Sequence, residues 1–275
     1  MDAAVSFSEV RTHQRASGEL AVSLKRRASA SVLDGLRQVG CLKARFPRSD
    51  DWLNVVTLNT SGGIAGGDAL TSLFTVGAGA RATIASQAAE RFYRALPDSE
   101  PARVDTCISV APGGAAEWLP QEAILFDRCS VRRRLRVDLA EDAWFLAVES
   151  LVFGRAAMGE MVERGSLRDT VEVRRSGRLL LRDSIRLNGA IAAALQRPAI
   201  ANGARAVATV VHVAPDAEAM LGLVRAASPM CGASAWDGML IARLLAADGA
   251  SLRAAVTDIL QVARKGRPLP RVWQC

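Results

Sequence analysis

Histidine, tyrosine and closely spaced cysteine are what this chain has least of. Two histidines, His13 and His212, and a single tyrosine, Tyr93, occur in 275 residues. A site built on several imidazoles is therefore nearly excluded, because the ligands are not there to build it. The five cysteines, Cys41, Cys107, Cys129, Cys231 and Cys275, are odd in number, widely scattered and form no Cys-x-x-Cys. That pattern argues against both a disulfide framework and a structural zinc site. No Gly-x-Ser-x-Gly occurs, and neither histidine lies beside a nucleophile motif. No apolar run reaches the ~18 residues that a membrane span needs. Residues 1–9 lack a basic start followed by an apolar stretch, so the expectation is no secretory signal and a cytoplasmic location.

Glycine, arginine and short apolar runs are what is present. The run Ser61-Gly62-Gly63-Ile64-Ala65-Gly66-Gly67-Asp68 places two glycine pairs around one Ile-Ala step and closes on a carboxylate. Glycine reaches positive φ cheaply and lets another backbone approach closely, so a sharp corner presenting Asp68 is expected. A phosphate cradle does not fit. No Gly-Lys-Ser/Thr follows, and the run opens a strand-like segment at Leu70 instead of a helix.

The formal charge is +7, which permits an anionic partner. In Val131-Arg132-Arg133-Arg134-Leu135-Arg136-Val137, strand alternation puts Arg132, Arg134 and Arg136 on one face, and Arg133 breaks the pattern. A solvated or protein-facing strand is the better reading than a nucleic-acid stripe, because the interleaved aromatics of single-strand binders are missing.

From about residue 18 to 213 the chain reads as strand, turn, strand. Residues 70–76, 81–86, 104–110, 117–119, 131–139, 144–148, 170–174 and 179–182 are short apolar runs, separated by Gly, Pro, Asp or Ser. This spacing predicts a mainly β fold of many short strands, two stacked sheets in a sandwich or β-helix-like arrangement. No helical period intervenes, which disfavours a sheet wound through helices. From about 215 to 265 three helices are expected. The first spans 215–225; the second spans 235–245 behind Ser234, with Trp236, Leu240 and Leu244 on one face. The third spans 251–264, with Leu252, Val256 and Ile259 inward and Gly266 as the stop. No repeat and no flexible linker is visible, so a single domain over 1–275 is expected. Cys231, before the second of these helices, is read as an inert packed thiol rather than an activated one.

Several carboxylates stand in apolar or aromatic text: Glu90, Glu117, Glu122, Asp127 and Glu149. A lone charge there is costly unless paired or watered. Each is either salt-bridged to a nearby arginine, as Glu90 to Arg91 or Arg94, or one of several that converge on a hydrated internal passage.

The glycine run, Gln87-Ala88-Ala89-Glu90-Arg91-Phe92-Tyr93-Arg94, Glu117-Trp118-Leu119-Pro120-Gln121-Glu122, Leu125-Phe126-Asp127, Glu149-Ser150-Leu151-Val152-Phe153-Gly154-Arg155 and Cys231-Gly232-Ala233-Ser234-Ala235-Trp236-Asp237 occur in one order. Together they resemble the urease accessory protein UreD family, also called UreH, over roughly residues 18–273. Residues 1–27 match none of its motifs and 33–48 only loosely, so nothing is carried over there. The resemblance implies two stacked sheets with a small helical part and no enzymatic activity. It also implies a scaffold that binds apo-urease together with UreF and the GTPase UreG in a hetero-oligomeric complex during nickel insertion, with an internal water-filled tunnel for the metal. No tightly bound cofactor is expected, only nickel in transit, and neither nucleic acid nor membrane as a partner. A conduit must hold nickel weakly, and scattered carboxylates with few imidazoles or thiolates give labile oxygen coordination. Asp68, Glu90, Glu122, Asp127 and Glu149 are the candidates for a nickel path or a partner interface. A basic polyanion- or nucleic-acid-binding β protein and a hydrolase with an unfamiliar carboxylate pair are the competing readings.

Overall fold

Strand alternation is visible almost everywhere in the computed structural model, which describes residues 15–48, 51–155 and 158–274. The strands are β1 (Ser17–Arg27), β2 (Ala30–Gly40), β3 (Leu42–Arg45), β4 (Leu53–Asn59), β5 (Ala69–Val76), β6 (Arg81–Ser86), β7 (Glu90–Phe92), β8 (Ala102–Val110) and β9 (Ala115–Leu119). They continue as β10 (Ala123–Leu125), β11 (Ser130–Leu139), β12 (Trp144–Phe153), β13 (Arg164–Arg175), β14 (Arg178–Ala190), β15 (Ala206–Val213), β16 (Cys231–Trp236) and β17 (Met239–Ala246). Three α-helices, α1 (Ile191–Gln196), α2 (Leu221–Ala227) and α3 (Gly249–Ala263), follow among the described residues, and a 3-10 turn spans Arg271–Trp273.

The strands form two sheets. The first has seven strands in the order β14-β13-β11-β8-β5-β1-β2, and the second has ten, running β16-β17-β15-β12-β9-β6-β4-β3 with β10 and β7 branching from β12. In the first sheet β1, β5, β8, β11 and β13 are parallel neighbours. In the second, β4, β6, β9 and β12 are parallel. Parallel neighbours need a crossover. Here a strand of the opposite sheet supplies it, so the chain coils β4, β5, β6, β8, β9, β11, β12, β13 from sheet to sheet. The mainly β, two-sheet expectation holds, in its β-helix-like form.

Two apolar layers hold the fold together. Phe74, Ile84, Ile108, Trp118, Phe145 and Val173 fill the space between the sheets. Leu146, Val148, Leu240 and Leu244 on the outer face of the second sheet pack against Val224 of α2 and Leu252, Val256 and Ile259 of α3. Asp248 caps α3, its Oδ1 accepting from the Ser251 amide at 2.8 Å. Asp248→Ala is expected to lower the urea midpoint of unfolding, because the Ser251 amide loses its acceptor.

The helical expectation for 215–265 is met only in part. The third helix is α3, and Gly266 at φ +76° ends it. The first begins late, at Leu221. The second does not exist: 231–246 is the hairpin β16–β17, turning at Asp237-Gly238 with φ of +51° and +68°. Two consecutive positive φ values make the tight turn whose twist suits a hairpin. Residues four apart share a face in a strand as well as in a helix, so Leu240 and Leu244 could not separate the two readings, whereas the Asp-Gly pair could.

Candidate functional site

The coil leaves a gap in its core. Between the sheets lies a cavity of about 420 Å³. Its walls come from Leu70, Thr106, Arg133 and Asp169 of the first sheet, and Asn59, Glu90, Trp118 and Glu149 of the second. An apolar core would close such a space; a charged lining keeps it open to water.

Strand parity explains how the charges come to be inside. On β11, Arg133 shares the inward side with Val131, Leu135 and Val137. On β13, Asp169 shares it with Leu167, Val171 and Val173, and Arg133 and Asp169 are register partners on adjacent strands. Glu149 faces inward from β12 with Phe145, Ala147 and Leu151.

One guanidinium serves this group of carboxylates. Arg133 Nη2 donates to Glu149 Oε2, and its Nε lies 3.7 Å from Asp169 Oδ1. Glu149 Oε1 accepts from the Trp118 indole at 2.7 Å. Glu90 accepts from the Asn59 amide at 3.2 Å through both oxygens. Burial pushes the Glu90 carboxyl above its ordinary value, against the pull of Asn59, the Arg91 amide and Arg133. Burial also raises Asp169 to about 6, despite Arg133, with Glu149 and Asp183 adding to the rise. Arg133 Nη1 is buried without a hydrogen-bond partner among the described residues. Arg91 and Arg134 also line the cavity, so Arg133 is its buried guanidinium but not its sole cation.

A second space lies outside it. A basin of about 700 Å³ is lined by Arg15, Cys41, Ser61, Asp68 and Tyr93 among others, and Gly63 lines both basin and cavity. The glycine corner is therefore the partition between the two. Gly62 and Gly63 sit at φ of +78° and +144°, and a Cβ on Gly63 would fall 2.2 Å from Tyr93 Cε2. Tyr93 in turn stands edge-on to Phe126 and donates to the Gly62 carbonyl at 3.2 Å.

The structure brings two of the five candidate carboxylates together, Glu90 and Glu149, at the cavity. Asp68 borders the basin, but its oxygens accept from the Ala16 and Ala65 amides, each at 2.8 Å, so it pins the corner. Glu122 is paired with Arg253 of α3 at 3.0 Å. Asp127 accepts from the Arg164 amide at 3.0 Å in a surface turn. Arg133 and Asp169 were not among the candidates. Their signal was parity: each is a charge on the apolar side of an alternating strand.

Among the described residues no three His, Cys, Asp or Glu side chains are gathered closely enough to hold one metal ion. No helix there is long and apolar enough to cross a membrane. His212 packs edge-on against Trp144, and burial lowers its pKa. Cys231 opens β16 instead of a helix, and burial raises its thiol.

The sequence profile described as UreD urease accessory protein matches residues 16–274. The chain belongs to the UreD family. Urease accessory protein UreD of Azorhizobium caulinodans is 44% identical over 265 residues, covering 94% of this chain and 97% of the relative. The UreD proteins of Rhizobium leguminosarum bv. viciae and of a Methylobacterium strain are also 44% identical, over 263 and 272 residues. These alignments cover 94% and 95% of this chain, and 96% and 95% of those relatives. The match takes in both sheets, the cavity and the helical layer, so the UreD family resemblance seen in the motifs extends to nearly the whole described chain.

Proposed function

We propose that this chain is a urease maturation scaffold that assembles with apo-urease, UreF and UreG and passes nickel through its inter-sheet cavity. The observation that carries the second half is the space of about 420 Å³ lined by Glu90, Glu149 and Asp169, with the buried Arg133 guanidinium beside them. Three carboxylates face one buried guanidinium, with Arg91 and Arg134 further out on the wall, and a hydrated divalent cation would offset the charge that Arg133 does not. Oxygen ligands release nickel faster than imidazole or thiolate would, and Arg133, already paired with Glu149 and Asp169, keeps their hold on a passing ion weak. No turnover by the chain itself is needed for this role.

The test is urease activation in cells expressing urease with its accessory proteins. Glu90→Gln combined with Glu149→Gln keeps size and most hydrogen bonding while removing two charges. It is expected to reduce urease activity per nickel supplied by at least about tenfold, with the complex still co-purifying. Full activity of the double variant would refute passage through this cavity, and loss of co-purification would refer the defect to assembly instead.

A further inference from the structure

The outer face of the seven-stranded sheet carries a row of arginines that the sequence spacing alone does not show. Arg132 on β11 is the register partner of Arg103 on β8 and of Arg168 on β13, and Arg168 is the partner of Arg186 on β14. All four are exposed. None of their side chains forms an ion pair or hydrogen bond among the described residues. The next rows are different: Arg134 is held 3.5 Å from Glu172, and Arg174 at 2.9 Å from the same carboxylate. Those charges are answered within the fold, and the four in the row are not.

Like charges directly opposite each other on a sheet destabilise it. Four in succession are an arrangement that packing does not call for, since the same positions accept any polar side chain. We propose that this row is a docking face for an acidic α-helix of a partner protein, laid across the strands.

The geometry favours a helix. Neighbouring strands are about 4.8 Å apart, so four rungs span roughly 14 Å. Carboxylates one turn apart on a helix repeat every ~5.4 Å and cover about 16 Å in three turns. Arginine side chains are long enough to absorb a mismatch of about 2 Å. An extended acidic strand repeats its same-face side chains every ~6.8 Å, so it is out of step by about 4 Å at the third rung and about 6 Å at the fourth. Planar guanidinium forks also suit carboxylates in pairs. A single-stranded nucleic acid fits less well, because no aromatic residue stands at the outward positions of β8, β11, β13 or β14 for a base to stack on.

The experiment uses the full chain and reads neither nickel nor urease, so its outcome is separate from that of the cavity reading. Three labelled probes of equal charge are titrated by fluorescence anisotropy. One is an alanine-based helical peptide with glutamates one turn apart along a single stripe. The second has the same composition with the glutamates spread around the helix, and the third is a single-stranded DNA. The striped peptide is expected to bind at least about tenfold more tightly than the spread one, and to weaken as salt rises. Arg132→Ser with Arg168→Ser is expected to remove at least about tenfold of that affinity. The double variant should melt at the same temperature as the parent or above it, because repulsion is relieved. Equal binding of the two peptides, or unchanged striped-peptide binding by the variant, would overturn the proposal. So would a variant that loses only DNA binding, or one that melts lower because the row is structural.

Discussion

Arg264→Met is expected to lower the unfolding free energy by about 3–5 kcal/mol, read as a shift of the urea midpoint. Arg264 ends α3 and reaches across to β9, where Glu117 is fully buried. Its Nε donates to Glu117 Oε1 at 2.9 Å and its Nη2 to Oε2 at 3.1 Å, while Nη1 donates to the Arg267 carbonyl at 2.8 Å. Arg267 also donates to Glu117, and the Thr83 hydroxyl does so at 2.6 Å. The Arg267 guanidinium lies over the Trp52 ring at 3.8 Å. This one carboxylate therefore ties the end of α3 and the chain beyond it to the second sheet. Removing Arg264 takes the buried cation and two of five hydrogen bonds from Glu117, leaving Arg267 and Thr83 to hold a fully buried carboxylate. Glu117→Met in the same molecule removes the stranded charge. The double variant should recover at least half of the loss, with Arg267 free to turn towards solvent. A double variant as unstable as Arg264→Met would show that the cost lies in packing.

Gly63→Ala is expected to cost about 2–4 kcal/mol, combining backbone strain with overpacking. At φ +144° an L side chain is strained whatever the space, and here the space is taken: a Cβ would meet Tyr93 Cε2 at 2.2 Å and the Arg91 carbonyl at 3.1 Å. Tyr93 cannot simply retreat, since Phe126 stands 5.0 Å behind it, ring centre to ring centre. Combining Gly63→Ala with Tyr93→Ala in a double-mutant cycle should give a coupling of at least about 1 kcal/mol, since the overlap is relieved while the strain stays. Additive losses would mean that backbone strain alone is responsible. Because Gly63 lines both the cavity and the outer basin, the same cycle probes the wall between them.

Alternation made the strands legible in the sequence. Turn residues such as Ser176-Gly177, with φ of +49° and +77°, marked where a hairpin closes. The helix at 249–263 was legible because its apolar residues follow a period no strand shares. The stretch 235–245 was not, because a four-residue interval satisfies both periods. Of the site, Glu90 and Glu149 stood out as charges in apolar text. Arg133 and Asp169 carry the same signal, but it is readable only once the inward side of each strand is fixed.

The sequence by itself determined the class of fold, the scarcity of imidazole, and membership of the UreD family, because these rest on local alternation, composition and ordered motifs. Which carboxylates share a cavity, which are spent on backbone amides or arginines, and which arginines line up across four strands were decided by tertiary structure alone. Those facts depend on register between strands distant in the chain, and register is set by the coil of the two sheets around one core.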